Sequence, residues 1–489
     1  MIEKSIVFDN KKLNIEHIPM PVPVSKKEDE NMKFGLLTLK TNPCSLTEKK
    51  LDLIFQVDSS GSMSDVCTDN RTKMQHILHT LKNMILFFKK NPSLNVHITI
   101  HAFDDKIYNI VDRTIVDITT YENIIHLIDT IEPRGATNLE KALQNIKNYT
   151  NQLKKEHPDT TIHHIFMTDG RTTVGSDSFE LLKECVDDSY TNVFIGFGID
   201  HDAALLNTIG SGNNSANYFI DQLENAGFVY GEILHGFVYN LFNNIVLTVN
   251  NGLIYDFKTN TWNDKLKVTN IVGETIKYYH IVSNNPENCS IEMFGNKSED
   301  NSNIYLNIKS ESEESDLTKY IYRQRTQQIL YEINDYLKTK NFKLNSFKTI
   351  KIPFDEEDTE VKNYINKKEY KNNLKMRLHD LFTELKQYME VNDLKEDIFL
   401  KNLCDDIYIC YRTLGTKFAE MFCSSRMTSQ GNQYAYTATQ IPEQESNNMD
   451  FKNILPPILE HSVSNSLSTP YRTPTKLEVM RSVSNGMSI

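Results

Sequence analysis

The sequence predicts an α/β protein. It should form a doubly wound, mostly parallel sheet over residues 47–243, followed by a small β domain at 244–310 and a helical region at 317–422. Three observations lead there. From residue 51 to 242, short apolar runs alternate with longer stretches of helical period, the pattern of strands joined by helical crossovers. At 244 this gives way to β-type runs joined by Asn250-Asn251-Gly252, a hairpin signal. From 317 onward helical period alone persists. A chain of 489 residues also exceeds what one ordinary core accommodates, so several domains are expected.

Residues 1–46 contain a Pro-rich stretch, IPMPVPVSKKEDE, read as an extended linker, and one strand candidate, KFGLLTLKT at 33–41. That strand precedes the α/β domain and could pair with strands after 244, which would make the α/β domain an insertion. Leu51 to Val57 is the next strand. Met74, Ile77, Leu78, Leu81, Ile85 and Phe88 then share one helical face, stopped at Asn91-Pro92. Val96, Ile98, Ile100 and Ala102 alternate with polar residues, Asp104-Asp105 turns, and Ile107 to Val111 returns, which reads as a hairpin at a sheet edge. A helix near 121–131, a Gly loop at 133–137 and a helix carrying Leu139, Ala142, Leu143, Ile146 and Leu153 follow. The strand IHHIFMTD comes next, then a helix from about Ser178 to Val186 and the strand NVFIGFGI. A short helix at Ala203 to Ile209, the strand NYFI and a long helix from about Leu223 to Phe242 complete the domain.

Beyond 244, further β-type runs lie near 276–282 and 304–308, and the acidic SESEESD at 310–316 reads as a linker. The helical region carries Tyr320, Ile329, Ile333 and Leu337, then Leu374, Leu378, Leu381, Leu385 and Met389, then Leu400, Leu403, Ile407, Leu414 and Phe418. FDEEDTE at 354–360 interrupts it. Residues 423–489 are rich in Ser, Thr, Asn and Gln and lack sustained period, so a disordered tail is expected. Its Thr469-Pro470, Thr473-Pro474 and Arg481-Ser482 resemble phosphorylation contexts of the kind that Ser/Thr-rich segments also produce by chance.

A net charge of −12 and the lack of any long Lys/Arg run argue against a nucleic-acid partner. The seven cysteines include no CxxC pair, which fits reduced thiols and argues against zinc-ribbon or RING-type sites. No apolar run approaches 18 residues and the first residues lack a signal-peptide core, so the expectation is a cytoplasmic protein with no membrane partner. The sequence leaves the oligomeric state open.

In a parallel α/β sheet, ligands bind beyond the carboxyl ends of the strands. Three such loops carry oxygen donors: Asp58-Ser59-Ser60-Gly61-Ser62, Thr137 within RGATN, and Asp169 within MTDG. Two carboxylates and three hydroxyls, without His or Cys, form a hard donor set suited to Mg²⁺ or Mn²⁺ and not to zinc or copper. Each loop taken alone is an ordinary cap or turn. Asp65 and Asp69 read as solvated loop residues and Asp202 as the N-cap of the helix at Ala203. His163 and His164, adjacent in a strand, point to opposite faces and share no metal.

DSSGS resembles the DxSxS motif of von Willebrand factor type A domains, also called integrin I-type domains, with the Thr and Asp of their metal-ion-dependent adhesion site following in order. IGFGIDHDAALLNTIG…NYFI is similar to the region after the metal-site Asp in intracellular members, and the likeness spans about 47–243. The resemblance implies that Ser60 and Ser62 hold the ion directly, Thr137 directly or through water, and Asp58 and Asp169 mainly through water. It leaves one coordination position to an Asp or Glu of a protein partner. It also implies that FVYGEILHGFVYNLFNN is the family's last helix, whose displacement couples to opening of the site; a plain packing helix is the competing reading.

A non-enzymatic, metal-dependent interaction module or scaffold is therefore the leading expectation. Two alternatives stand beside it. One is a non-catalytic subunit of ubiquitin-ligase-like machinery, because some intracellular relatives join such domains to RING, U-box or Hint modules. The other is a Mg²⁺-dependent phosphoryl-transfer enzyme, against which the chain lacks DxDx[TV] and GxxxxGK[ST] motifs and any paired general acid and base.

Overall fold

Two sheets organise the chain, and its N-terminal segment is built into the second of them. The computed structural model describes residues 2–11, 32–44, 49–67, 69–198, 201–212, 214–221, 223–344, 359–416, 418–437 and 469–484. The Pro-rich stretch after residue 17 lies outside the described residues.

In the first sheet the strands β3 (Lys49–Asp58), β4 (Leu94–Phe103), β5 (Ile107–Ile115), β6 (Thr161–Thr168), β7 (Thr191–Phe197) and β8 (Ser215–Ile220) stand in the order β5-β4-β3-β6-β7-β8. All pairs are parallel except β4 with β5, the expected edge hairpin. Helices cover both faces, which is why the central strands are apolar on both sides. One face packs α1 (Lys73–Lys90), α2 (Tyr121–Ile128) and α6 (Ala226–Val238) through Ile77, Leu81, Ile124, Ile128, Val229 and Ile233. The other packs α3 (Leu139–Glu156), α4 (Phe179–Glu184) and α5 (Ala203–Ile209) through Leu143, Leu182 and Leu206 against Phe166 and Phe194. A capping box starts α1: Gln75 N donates to Thr72 Oγ1 at 3.1 Å and Thr72 N to Gln75 Oε1 at 2.8 Å. Asp202 caps α5 as expected, accepting from Leu205 N at 2.9 Å.

The second sheet has the order β11-β10-β13-β2-β1-β15-β14-β9-β12 among the described residues. Its strands are β1 (Ile2–Asp9), β2 (Lys33–Thr41), β9 (Asn240–Asn250), β10 (Leu253–Asp256), β11 (Thr261–Asn263), β12 (Lys265–Val272), β13 (Ile276–Ser283), β14 (Ser290–Lys297) and β15 (Asn303–Ser315). β2 lies antiparallel to β13 with Thr38 opposite Tyr278, and β1 runs parallel to β15. The chain thus leaves this sheet after Thr41, builds the α/β domain, and re-enters at Asn240. The long helix expected to reach Phe242 ends at Val238, because Phe242 pairs with Ile271 in β9 and β12. SESEESD is strand, not linker: parallel pairing with β1 supplies its backbone partners while Glu311 and Glu314 stay exposed.

The helical region comprises α7 (Thr318–Leu344), α8 (Thr359–Val391), α9 (Ile398–Thr413) and α10 (Ala419–Asn432). They bury Leu330, Ile333, Leu378, Leu385, Leu403 and Ile407 together. Most of FDEEDTE lies outside the described residues. The expectation of disorder from 423 onward fails for 423–437 and 469–484. In α10, polar side chains are buried against one another: Ser424 Oγ donates to Asn334 Oδ1 at 2.6 Å, Gln430 Nε2 to Asp406 Oδ2 at 2.6 Å, and Arg426 pairs with Asp406 at 2.8 Å. A reading of hydrophobic period cannot register a helix whose burial rests on hydrogen bonds. Thr469 is likewise buried, its hydroxyl donating to Tyr434 O at 2.9 Å. Finally α11 (Pro474–Ser484) lies on α6, where a Cβ at Gly227 or Gly231 would run into the backbone of Ser484 or Met480. Among the described residues no helix is long and apolar enough to cross a membrane.

Glu232 of α6 joins these parts. It is buried, and its carboxylate accepts from Ala435 N at 2.7 Å, Tyr436 N at 3.1 Å and Lys476 Nζ at 3.2 Å. Removing it strands a buried ammonium and two amides. Glu232→Ala is expected to lower stability by about 3–5 kcal/mol, measured as a fall in thermal midpoint together with earlier proteolytic release of the 469–484 segment.

Candidate functional site

Strand register assembles the site. β3 lies between β4 and β6, with Asp58 opposite Phe103 and Val57 opposite Met167, so the ends of all three strands open on one edge. The first loop is anchored before any ligand is considered. Ser59 N and Oγ both donate to Phe103 O, at 2.7 and 3.0 Å, and Arg134 N donates to Ser59 O at 2.6 Å. Ser59 therefore ties the first loop to β4 and to the loop carrying Thr137. Gly61 N adds a bond to Gly135 O at 3.2 Å.

Asp58 is fully buried. Its Oδ1 accepts from Ser60 N at 2.9 Å and its Oδ2 from Thr168 Oγ1 at 2.6 Å. Burial pushes its carboxyl up from 3.8 to about 6 against the pull of these bonds, and the nearby Asp169 charge adds to the rise. Ser60 Oγ lies 3.1 Å from Ser62 Oγ, which donates to Asp169 Oδ1 at 2.8 Å. Asp169, also buried, receives Lys73 Nζ on Oδ2 at 2.7 Å. Thr137 is buried and held by its backbone, with N donating to Thr173 Oγ1 at 2.8 Å. Its hydroxyl and that of Ser62 stand 3.6 and 3.7 Å from the point where a Cβ on Gly170 would sit. Four of the five expected residues thus form one hydrogen-bonded chain or its immediate support, and Thr137 faces the same glycine.

Two groups escaped the sequence reading. Lys73, the first residue of α1, reaches both Asp169 and Asp65, the latter at 3.0 Å. Burial works to lower its pKa, but the bonds to the two carboxylates outweigh it and hold the ammonium above the usual lysine range. A signal existed: a cation at a helix start opposes the helix dipole and calls for a local reason. Asp104, read as a turn residue, is buried; it accepts from Lys106 N at 2.6 Å and Tyr108 OH at 3.2 Å, and lies against Gly135. With a φ of +69°, Gly135 occupies left-handed backbone at this close approach, a place suited to glycine. Asp69 pairs with His76 Nε2 at 3.0 Å and Arg71 at 3.7 Å. His164 reaches Asn192 and Gln56 at 3.0 and 3.1 Å, while His163 stacks on Phe237, so the pair serves the core on two faces.

The donor set fits a hard divalent cation. Asp58 is a buried carboxylate without a cation partner among the described residues, and the oxygens beside it are hydroxyl and carboxylate. Among the described residues no group of three His, Cys, Asp or Glu side chains clusters as a metal-holding set; this site has two carboxylates and draws its other donors from hydroxyls.

Residues 52–230 match the family model of the von Willebrand factor type A domain. No curated protein matches the chain. Similar solved structures include the ArnB paralog VWA2 from Sulfolobus acidocaldarius, 13% identical with a TM-score of 0.48, over 88% of this chain and 97% of that one. Another is a von Willebrand factor type A protein from Catenulispora acidiphila, 12% identical with a TM-score of 0.46, over 69% and 80%. A third is proximal thread matrix protein 1 from the mussel byssus with a zinc-occupied MIDAS motif, 15% identical with a TM-score of 0.32, over 42% and 51%. The six-stranded sheet with its helices on both faces and the family match over the same stretch agree: the chain carries a von Willebrand factor type A domain at residues 52–230.

Proposed function

We propose that the α/β domain is a metal-dependent protein-interaction module, in which Asp58, Ser60, Ser62, Thr137 and Asp169 hold Mg²⁺ or Mn²⁺ and a partner contributes an Asp or Glu. The observation that carries this reading is the pair of buried carboxylates, Asp58 and Asp169, linked through the Ser60 and Ser62 hydroxyls at the edge where three strands end. A bound ion would supply a coordination position for an incoming carboxylate. The two carboxylates formally balance a doubly charged ion, so the anionic partner meets a site without net negative repulsion. Thr168 and the Ser60 amide keep Asp58 oriented, and Ser59 with Gly61 keeps the loops together. The reading assigns no catalytic residue.

In a crosslinking pull-down, partner capture should require Mg²⁺ and be lost with EDTA or in Asp58→Asn, with the far-ultraviolet circular dichroism unchanged. Capture that survives both would sink the reading.

Lys73 competes for Asp169, so Lys73→Met is expected to bind Mg²⁺ on the order of fivefold more tightly, about 1 kcal/mol. Isothermal titration would read this directly, and unchanged or weaker binding would contradict it.

The carboxyl of Asp58 is raised from 3.8 to about 6 in the folded chain. Its extra proton affinity stabilises the metal-free fold fully below about pH 4 and is lost as the pH rises through about 6. The difference is on the order of 3 kcal/mol. Chemical denaturation at pH 4.5 and 8 should show most of this loss, about 2 kcal/mol, in wild type and a flatter dependence in Asp58→Asn.

A further inference from the structure

At the N-terminal ends of β7 and β8, opposite the edge that carries Asp58, a cavity of ≈ 330 Å³ opens between α6, the second sheet and the ends of α10 and α11. In a chain of net charge −12, its wall presents Lys258, Lys265, Lys267, Lys277, Arg323 and Lys476 against two carboxylates, Glu232 and Asp256.

The cations outnumber what the protein offers them. Glu232 is already committed to two amides and to Lys476. Lys277 Nζ has a carbonyl, Asn432 O at 2.6 Å, and Lys258 Nζ has Gly212 O at 3.0 Å. Arg323, 1% exposed, reaches Gln430 O at 2.7 Å, Tyr278 O at 3.3 Å and His280 Nε2 at 3.2 Å, while its Nε has no hydrogen-bond partner. Among the described residues none of these three cations is ion-paired. His235, 1% exposed on the same wall, has no hydrogen-bond partner for either ring nitrogen. Burial, then the Lys476 charge, pushes Lys277 down to about 7, with Glu232 opposing. Neighbouring positive charges, partly or fully withdrawn from water and lacking direct ion pairs, are costly, and an oxyanion seated among them would relieve that cost. The space suits a small molecule and is far too small for a duplex.

We infer that this cavity binds a small polyanion bearing two or more phosphate-type groups, with Lys277, Lys258 and Arg323 as its charged contacts and His235 as a further donor. Lysines act as point charges and the unpartnered Nε of Arg323 adds a directed charged donor, a combination that suits phosphate oxygens. The site is independent of the metal-dependent module proposed above.

The test is isothermal titration of the full, metal-stripped and chelator-free chain with inorganic pyrophosphate, and separately with inorganic phosphate, at constant ionic strength. Saturable one-to-one binding of pyrophosphate, weaker for phosphate, is expected. Lys277→Gln and Lys258→Gln should each weaken it by on the order of tenfold. Asp58→Asn should leave it unchanged. The inference is overturned by the absence of saturable binding, by equal affinity in both lysine variants and wild type, or by loss in Asp58→Asn alone. Two variants are used so that a folding defect in one, checked by its thermal midpoint, leaves the other to decide.

Discussion

One buried carboxylate holds the chain together. Glu232 projects from the last helix of the α/β domain and receives two backbone amides from the segment after α10 and the ammonium of Lys476 on α11. A carboxylate withdrawn from water must have its oxygens satisfied, and here the partners come from two other stretches of chain, 435–436 and Lys476. The requirement therefore specifies how three regions meet. Gly227 and Gly231, one turn apart on the same helix, let the backbone of α11 approach closely enough for Lys476 to reach Glu232.

That arrangement bears on how the metal-type loops are supported. The resemblance to von Willebrand factor type A domains implies an expectation that the last helix moves with the site, against a plain packing helix as the competing reading. In this chain α6 is covered by α11 and joined to residues 435 and 436, so any displacement would have to carry α11 along or break contacts with it. The site itself leans on other bonds: Ser59 to β4, Gly61 to Gly135, and Thr168 to Asp58. Strand register and these bonds, not a ligand, set the spacing of its loops.

The second sheet explains why the two ends of the α/β domain lie together. β2 and β13 pair along their length, and β1 closes onto β15, so entry and exit are strands of one sheet. A strand without partners leaves its amides and carbonyls exposed. Inserting the α/β domain between β2 and β9 leaves that sheet continuous and brings its basic strands β12 and β13 to the far end of the first sheet, where the cationic cavity lies.

Much was legible in the sequence. The alternation of strands and helices from Leu51 to Ile220, the β hairpin at Asp104-Asp105, the cap at Asp202, and the three oxygen-bearing loops all follow from local period, turn chemistry and spacing. The roles of Ser59, Lys73 and Asp104 were not, because each depends on a partner distant in the chain: Phe103, Asp169 and Gly135. The order of 423–437 and 469–484 escaped for a related reason. Burial in 423–437 is achieved with Ser, Gln and Arg whose hydrogen bonds are closed by Asn334 and Asp406 on other helices. The sequence by itself determined which segments become strands, helices and donor loops, since these rest on interactions over a few residues. Tertiary structure alone decided which charges form ion pairs: Glu232 does and Lys277, held by a carbonyl, does not, and that balance exists only once distant segments have come together.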